Sequence, residues 1–557
     1  MLYKKPILIA LLLNSMFLGL YFALGIVRYG SLDDYFMSNI LTGAYGSSYD
    51  VHTYFVNSAY GYFLKPFYML FPKVGWYFLF ELAGIFAVFT TFTYFVIARL
   101  GGKFGIPFAL ILLAAAVPDF YFQVSFTQCA TAYTAAGVLL IVVGDLEKNK
   151  LYLLGGGLFL LAGSVMRWEG FLLGMPFLCI LFTVNAFSRK KIYVSSIIAL
   201  SIAMTALYGI KKYDESLYSQ GDYKYYAEYQ PVRSFFGDGA YYDSESTYDE
   251  LEEREMSGLD YTFARSWIYY DTDVLCADSL RAMAKIAQRN LYTPNWSRMP
   301  LAFFTAVSKA LTRTNGWCWV ILCLILMIIP SKISNLYPWI SLSIIAISIG
   351  YLLLVNRLVS HVESGIWLYA IASGIPFLYK EGFEQNPFIQ KHFKLAQSTM
   401  IVIALFFALI SVSSQPLKNQ WKIIETYEMG NDWKSFIDYA QKHQDDVFLL
   451  GFETYKELGN VKDKPYLAIK PGSWQNIFPI GYWNVHLPAM KQELAKRGVE
   501  NPIKDIVKSN VYLIEDNSSP TFTEYYRRHY HKNLAVDTIA TFGKKLLFKY
   551  RIAGGDQ

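Results

Sequence analysis

Apolar residues along this chain gather in long runs separated by short polar breaks. The runs fall at residues 6–27, 75–98, 105–118, 129–145, 151–166, 170–187, 192–210, 316–330, 336–355, 363–379 and 397–414. Most are long enough to cross roughly 30 Å of hydrocarbon as a helix; the third is the shortest. Two polar stretches interrupt the series, 28–74 and 211–315. Each carries an amphipathic aromatic segment, "AYGYFLKPFYMLFP" and "RMPLAFFTAVSKALTRTNG", suited to lie along a membrane surface. After residue 414 the pattern changes. "WKSFIDYAQKH" and "PAMKQELAKRG" have helical spacing, the second stopping at a glycine. "DVFLLG" and "SNVYLIEDN" have the short apolar character of strands. The expected fold is mainly α: a polytopic helical membrane protein of about 11 transmembrane helices over 1–414, followed by an α/β domain over 415–557.

Composition agrees, with 54% hydrophobic and 17% charged residues. The net charge of +6 says less than its placement. Counted from a cytoplasmic N-terminus, alternate loops hold Lys4 and Lys5, Arg99 and Lys103, Lys148 and Lys150, Arg189 to Lys191, Lys332, and Lys380, Lys391 and Lys394. The opposite short loops hold mainly Arg28, Arg167 and Arg357. By the positive-inside rule, 28–74, 211–315 and the tail are then extracytoplasmic. The first run resembles a signal peptide, but it exceeds a typical h-region and no clear Ala-x-Ala follows, so a retained helix is expected. Four of the five cysteines lie in apolar stretches and no CxxC occurs. No basic run or stacking groove suits nucleic acid, and the tail has no glycine-rich phosphate loop.

Candidate chemistry collects at the ends facing away from the basic loops. Asp33 and Asp34 follow the first run in "VRYGSLDDYFMSNI". Asp119 stands in "AVPDFYFQ", Arg167 and Glu169 in "SVMRWEGF", and Arg357, His361 and Glu363 in "VNRLVSHVESGIW". Each has a plain alternative: Asp33 and Asp34 as a turn or helix cap, the Arg–acid pairs as local ion pairs or snorkelling groups. Their convergence on one face favours chemistry. A carboxylate there can take a proton from an attacking hydroxyl, and an arginine fork can hold a phosphate leaving group. Paired acids also suit a divalent metal such as Mg or Mn, without identifying one. In the second loop, Asp271, Asp273 and Asp278 fit no EF-hand spacing and read as capping acids of a helix–turn–helix. The many tyrosines there and Trp267 suit either a sugar acceptor or packing onto the membrane surface.

With one span before an outer loop that opens "LDDYFMSNI", an interfacial helix behind the acids and a soluble domain at the end, the chain resembles the GT-C superfamily of polytopic glycosyltransferases, a resemblance that covers roughly residues 1–414. The segments "SLDDYFMSNILTGAYG", "GLDYTFARSWIYYDTDVL" and "MRWEGFLLGMPF" resemble poorly characterised bacterial membrane proteins of that kind. The resemblance implies transfer of a sugar from a polyprenyl-phosphate donor to a cell-surface glycan, lipid or wall polymer. It implies Asp33 or Asp34 as catalytic acid group, and Arg167 and Arg357, with His361, at the donor phosphate. Asp119, Glu169 and Glu363 are supporting groups. Partners would be the polyprenyl-phosphate sugar, the acceptor and membrane lipid. The competing readings are a polysaccharide polymerase or ligase using diphosphate-linked chains, a lipid-linked glycan transporter or flippase, and a scaffold for wall-synthesis enzymes. A transporter would place polar groups at mid-span, whereas the charges here gather at one face.

Overall fold

A computed structural model describes the chain except residues 1–4, 25–26, 190–193, 238–243, 254–255, 290–298, 312, 355–356, 414–429, 461–464 and 555–557. Among the described residues, five helices are long and apolar enough to cross a membrane: Pro6–Ala23, Trp76–Tyr121, Phe126–Glu147, Lys332–Leu354 and Phe393–Val412. Lys150–Met166, Trp168–Ile180 and Thr314–Ile328 are shorter and apolar. Two of the expected runs differ from this description. Run 192–210 belongs to a helix, Val194–Tyr218, that continues into the second polar stretch. Run 363–379 is a helix, Ser360–Gly374, with every side chain from Glu363 to Gly374 buried inside the protein.

The helix Trp76–Tyr121 has 46 residues, but Gly101 inside it adopts φ 71° and ψ 172°. That region of backbone space costs glycine little and other residues much. The chain doubles back there. Phe89 packs on Phe120, ring centroids 5.3 Å apart, where a continuous helix would separate them by about 46 Å. The two arms correspond to runs 75–98 and 105–118.

The helical bundle has two chemically distinct ends. Around the Gly101 bend, the Lys380 side chain lies 3.1 Å from where a Gly101 Cβ would stand. Lys103 covers the Phe393 ring at 5.0 Å, and Arg99 pairs with Glu147. The helix Phe126–Glu147 runs ~33 Å from this basic end to the other. There lie Asp33, Asp119, Arg167 and Arg313. The two aromatic segments form helices, Ser58–Leu70 and Met299–Leu311, and expose Phe63, Met69, Leu70, Leu301 and Phe304.

Short strands β1 (Arg28–Tyr29) and β2 (Gln123–Val124) pair in parallel and tie the first polar stretch to the end of the hairpin. The tail contains a five-stranded sheet in the order β4-β3-β5-β7-β6: β3 Val447–Leu450, β4 Ile477–Pro479, β5 Val511–Glu515, β6 Leu534–Phe542 and β7 Lys545–Ile552. β4, β3 and β5 are parallel, and β7 is antiparallel to β5 and β6. All four β3 residues are buried, as expected of a central parallel strand covered on both faces. β3 and β5 and the helices Gly430–Lys442 and Pro488–Lys496 stand where their patterns put them. Three-residue β4 and the β6–β7 hairpin lie outside the sequence expectation. The residue where the tail begins lies outside the described residues.

The second polar stretch packs against the tail. Asp271 is fully buried: its Oδ1 accepts from the Asp273 and Val274 amides and from Asn501 Nδ2 at 2.9 Å, and its Oδ2 from Tyr525 OH at 2.9 Å and Tyr530 OH at 2.7 Å. Asp273 pairs with Lys504, and Asp260 with His529. These acids serve the turn and a lock between loop and tail. Tyr226, Tyr229, Tyr261 and Tyr269 are buried in the same region, and Trp267 stacks on Phe452 of the tail at 4.7 Å. Other tyrosines of this stretch pack on the first one: Tyr218 and Tyr223 on His52, and Tyr226 on Tyr54.

Candidate active site

Asp33 and Asp34 stand in the first turn of the helix Leu32–Thr42, but neither caps it. Ser31 does: its Oγ accepts from the Asp33 amide at 3.0 Å and the Asp34 amide at 3.3 Å. The first helical turn favours negative charge through the helix dipole. β1–β2 pairing anchors this cap. The Gly30 amide donates to the Val124 carbonyl, and a Cβ on Gly30 would stand 2.5 Å from the Gln123 carbonyl oxygen.

A helix turns neighbouring residues apart by about 100°, and here this separates the two acids. Asp34 points into the protein and is fully buried. Its Oδ1 accepts from the Phe126 amide at 2.9 Å and from Tyr77 OH at 3.0 Å. Burial lifts its carboxyl to about 7, opposed by those hydrogen bonds and helped by neighbouring Asp33. Glu81, on the facing arm of the hairpin, is its other neighbour, and its carboxyl group is fully buried. Asp34→Ala leaves the Phe126 amide and Tyr77 OH unpaired, an expected loss of about 1–3 kcal/mol for each. Asp34→Asn retains an oxygen for both and removes a charge whose folded pKa lies above its unfolded one. That charge costs stability increasingly as pH rises from the ordinary Asp range to about 7. Thermal unfolding at pH 8 is expected to rank Asn at or above wild type and Ala well below it.

Asp33 points the other way, into a cavity of about 260 Å³. Asp119, Arg167, Arg313, His361 and Ser364 also line it. Asp33 Oδ1 accepts from Tyr482 OH at 2.8 Å and Trp483 Nε1 at 2.9 Å, both from the tail. Among the described residues no hydrogen bond reaches Oδ2. Burial raises the Asp33 carboxyl above its ordinary range; Tyr482, Trp483, Arg167 and Arg233 pull it back.

Arg167 is the single residue linking the helices Lys150–Met166 and Trp168–Arg189, so both deliver it to this end. Its Nη1 donates to Thr127 Oγ1 at 2.5 Å, and its guanidinium lies 5.1 Å from the Phe126 ring centroid. Glu169 is 76% exposed and 3.9 Å from Arg167 Nε, a solvated ion pair of small energetic weight. Asp119 Oδ2 accepts from Ser364 Oγ at 2.8 Å and Asn315 Nδ2 at 3.2 Å.

The second cation of the cavity is Arg313. It precedes the helix Thr314–Ile328, which Thr314 fastens to the hairpin through the Ala115 carbonyl. Arg313 Nε lies 3.3 Å from Glu363 Oε1, and its Nη1 donates to Ser364 Oγ at 3.4 Å. Glu363 thus pairs with Arg313, where the sequence suggested Arg357. Arg357 is exposed and does not line the cavity. Arg167 and Arg357 stand out in sequence by an acid nearby in the chain, whereas the acid that pairs with Arg313 is fifty residues away. Glu81 did carry a signal, a lone acid within an apolar run. Tyr482 and Trp483 carried none.

Among the described residues no three carboxylate, His or Cys groups converge as a metal cage. Asp33 and Asp119 each already accept two hydrogen bonds, and the cavity's positive charge comes from arginine.

No family model and no curated protein matches this chain. Among solved structures it is similar to the crystal structure of ArnT from Cupriavidus metallidurans bound to undecaprenyl phosphate. The identity is 10%, over 98% of this chain and 99% of that one, with a TM-score of 0.37.

Proposed function

We propose that this protein is a membrane glycosyltransferase of GT-C type, moving a sugar from a polyprenyl-phosphate donor to a cell-surface acceptor. The observation that carries the reading is one cavity, at the end of the bundle away from its basic loops, with Asp33 and Asp119 facing Arg167 and Arg313. In the reaction Asp33 Oδ2 takes the proton of the acceptor hydroxyl. The hydroxyl oxygen attacks the anomeric carbon, and the bond from that carbon to the phosphate oxygen breaks. The polyprenyl phosphate leaves with the bonding electrons. Its growing charge is met by the guanidinium groups of Arg167 and Arg313, which suit phosphate oxygens by their planar forks. Asp119, held by Ser364 and Asn315, and His361 border the same space and orient the bound groups. Transfer from a labelled polyprenyl-phosphate sugar by purified protein in lipid nanodiscs tests the reading. Absence of turnover with every lipid-phosphate sugar offered, from preparations that bind such lipids, overturns it.

An extracytoplasmic reaction is supported by the basic loops and the cavity lying at opposite ends of the helices. Single cysteines replacing Lys224 in the second polar stretch or Arg528 in the tail are expected to react with an impermeant maleimide in intact cells. One replacing Lys150 should react only after permeabilisation. All three side chains are exposed, and the background would lack the five native cysteines. The opposite pattern excludes an extracytoplasmic site.

A further inference from the structure

Resting on the reading of Asp33 as the base, we infer that the C-terminal domain is part of the active site, with Tyr482 and Trp483 as positioning residues that hold Asp33 in its reactive orientation. The two side chains come from consecutive residues of the tail and donate to one oxygen, Oδ1, at 2.8 and 2.9 Å. A carboxylate gripped twice on Oδ1 has its rotation fixed and its Oδ2 committed to one direction. The grip spans 449 residues of sequence, so it exists only when the tail is docked.

The dipeptide is itself held from three sides. The Trp483 carbonyl accepts from Gln230 Nε2 at 2.6 Å; Gln230 Oε1 accepts from Arg233 Nε at 3.0 Å; and the Arg233 guanidinium lies 5.4 Å from the Trp267 ring centroid. Gln230 and Arg233 are buried. Tyr482 packs on Phe36 at 5.3 Å and Trp483 on Phe55 at 5.0 Å, both in the first polar stretch. The backbone is strained at these positions. Tyr482 has φ 83° and Trp267 φ 59°, values aromatic residues take only when their surroundings impose them. Gly481 permits the closest approach: a Cβ there would stand 1.4 Å from the Trp267 carbonyl oxygen. A tail that served only to bind something elsewhere would have no need of this strained, doubly supported contact with the acid.

The charged and titratable groups around Asp33 are Asp34 on its own helix, Arg167, Arg233 and Tyr482 from packed elements, and Asp119, Arg313 and His361 across the cavity. Tyr482 and Trp483 both favour the ionised carboxylate, so their loss makes it hold its proton to higher pH.

Two measurements on full-length protein in nanodiscs test this. In the first, which needs no substrate, a water-soluble carbodiimide labels protonated carboxyls across a pH series, and the Asp33 peptide is read by mass spectrometry. In Tyr482→Phe, Trp483→Phe and the double variant, labelling of Asp33 is expected to persist to higher pH, by about one unit in the double variant. Both changes keep a ring, and thermal unfolding checks that the fold is retained. In the second, donor transfer by the double variant is expected to lose about tenfold in kcat with donor KM unchanged. The acid limb of its pH profile should move upward. Unchanged labelling in the double variant overturns the inference. If Asp33→Asn abolishes transfer while the double variant keeps the wild-type rate and profile, the positioning role falls and the base assignment stands. If Asp33→Asn transfers normally, the base assignment falls, and the labelling still decides whether the tail grips this acid.

Discussion

Asp33→Asn is expected to lower sugar transfer by about 10²–10⁴-fold while leaving membrane insertion and thermal stability near wild type. The factor is that of a positioned general base removed from its transition state. Asparagine keeps the oxygen that Tyr482 and Trp483 grip, so the lost quantity is the ability to accept a proton, not the shape of the site. The acid must be ionised to act, so wild-type activity should fall as pH drops through its folded pKa. Burial places that value above the ordinary Asp range, and the acid limb should lie there as well. Asp34→Asn is the control. Its carboxyl faces the core, bonded to the Phe126 amide and Tyr77, and its removal as a charge should spare chemistry. Equal losses in both variants, or wild-type transfer by Asp33→Asn, exclude Asp33 as the specific base.

The second large effect belongs to the arginines. Arg167→Ala and Arg313→Ala are each expected to reduce kcat/KM for the lipid-phosphate donor by about 10²–10³-fold, the range seen when one fixed donor is removed from a developing negative charge. Lysine at either position should recover only part, because it offers a point charge instead of a fork. Arg313→Ala also strips the buried Glu363 of its ion pair, so that variant should additionally lose stability. Arg313→Ala with Glu363→Gln separates the two effects: stability should return and transfer should not. Arg357 is exposed and away from the cavity lining, and Arg357→Ala should transfer within about twofold of wild type. A large defect in Arg357→Ala together with normal transfer by Arg313→Ala would return the phosphate site to the arrangement the sequence suggested.

The long apolar helices, the two aromatic amphipathic helices, and β3, β5 and the helices Gly430–Lys442 and Pro488–Lys496 of the tail were legible because each follows from periodicity over a few residues. The basic end could be read from lysine and arginine placement, a property of loops and not of packing. That Asp33, Asp119, Arg167 and His361 share one end of the bundle was legible for the same reason: each lies at the end of an apolar run on one side. Arg313 also lines the cavity and obeys that rule, but no acid stands near it in the chain to single it out. Its partner Glu363 arrives from a different helix.

The sequence by itself determined which segments form long apolar helices, which ends collect charge, and that the tail mixes strands and helices. These depend on local composition and on hydrocarbon's intolerance of charge. Only the tertiary structure decided which of two adjacent aspartates faces the cavity, because the choice depends on the angle at which the helix Leu32–Thr42 meets its neighbours. Only it brought Tyr482 and Trp483 to Asp33, Glu81 to Asp34 and Asn501, Tyr525 and Tyr530 to Asp271. No period in the chain encodes such pairings. They arise where two packed surfaces meet and a buried polar group must find a partner or cost free energy.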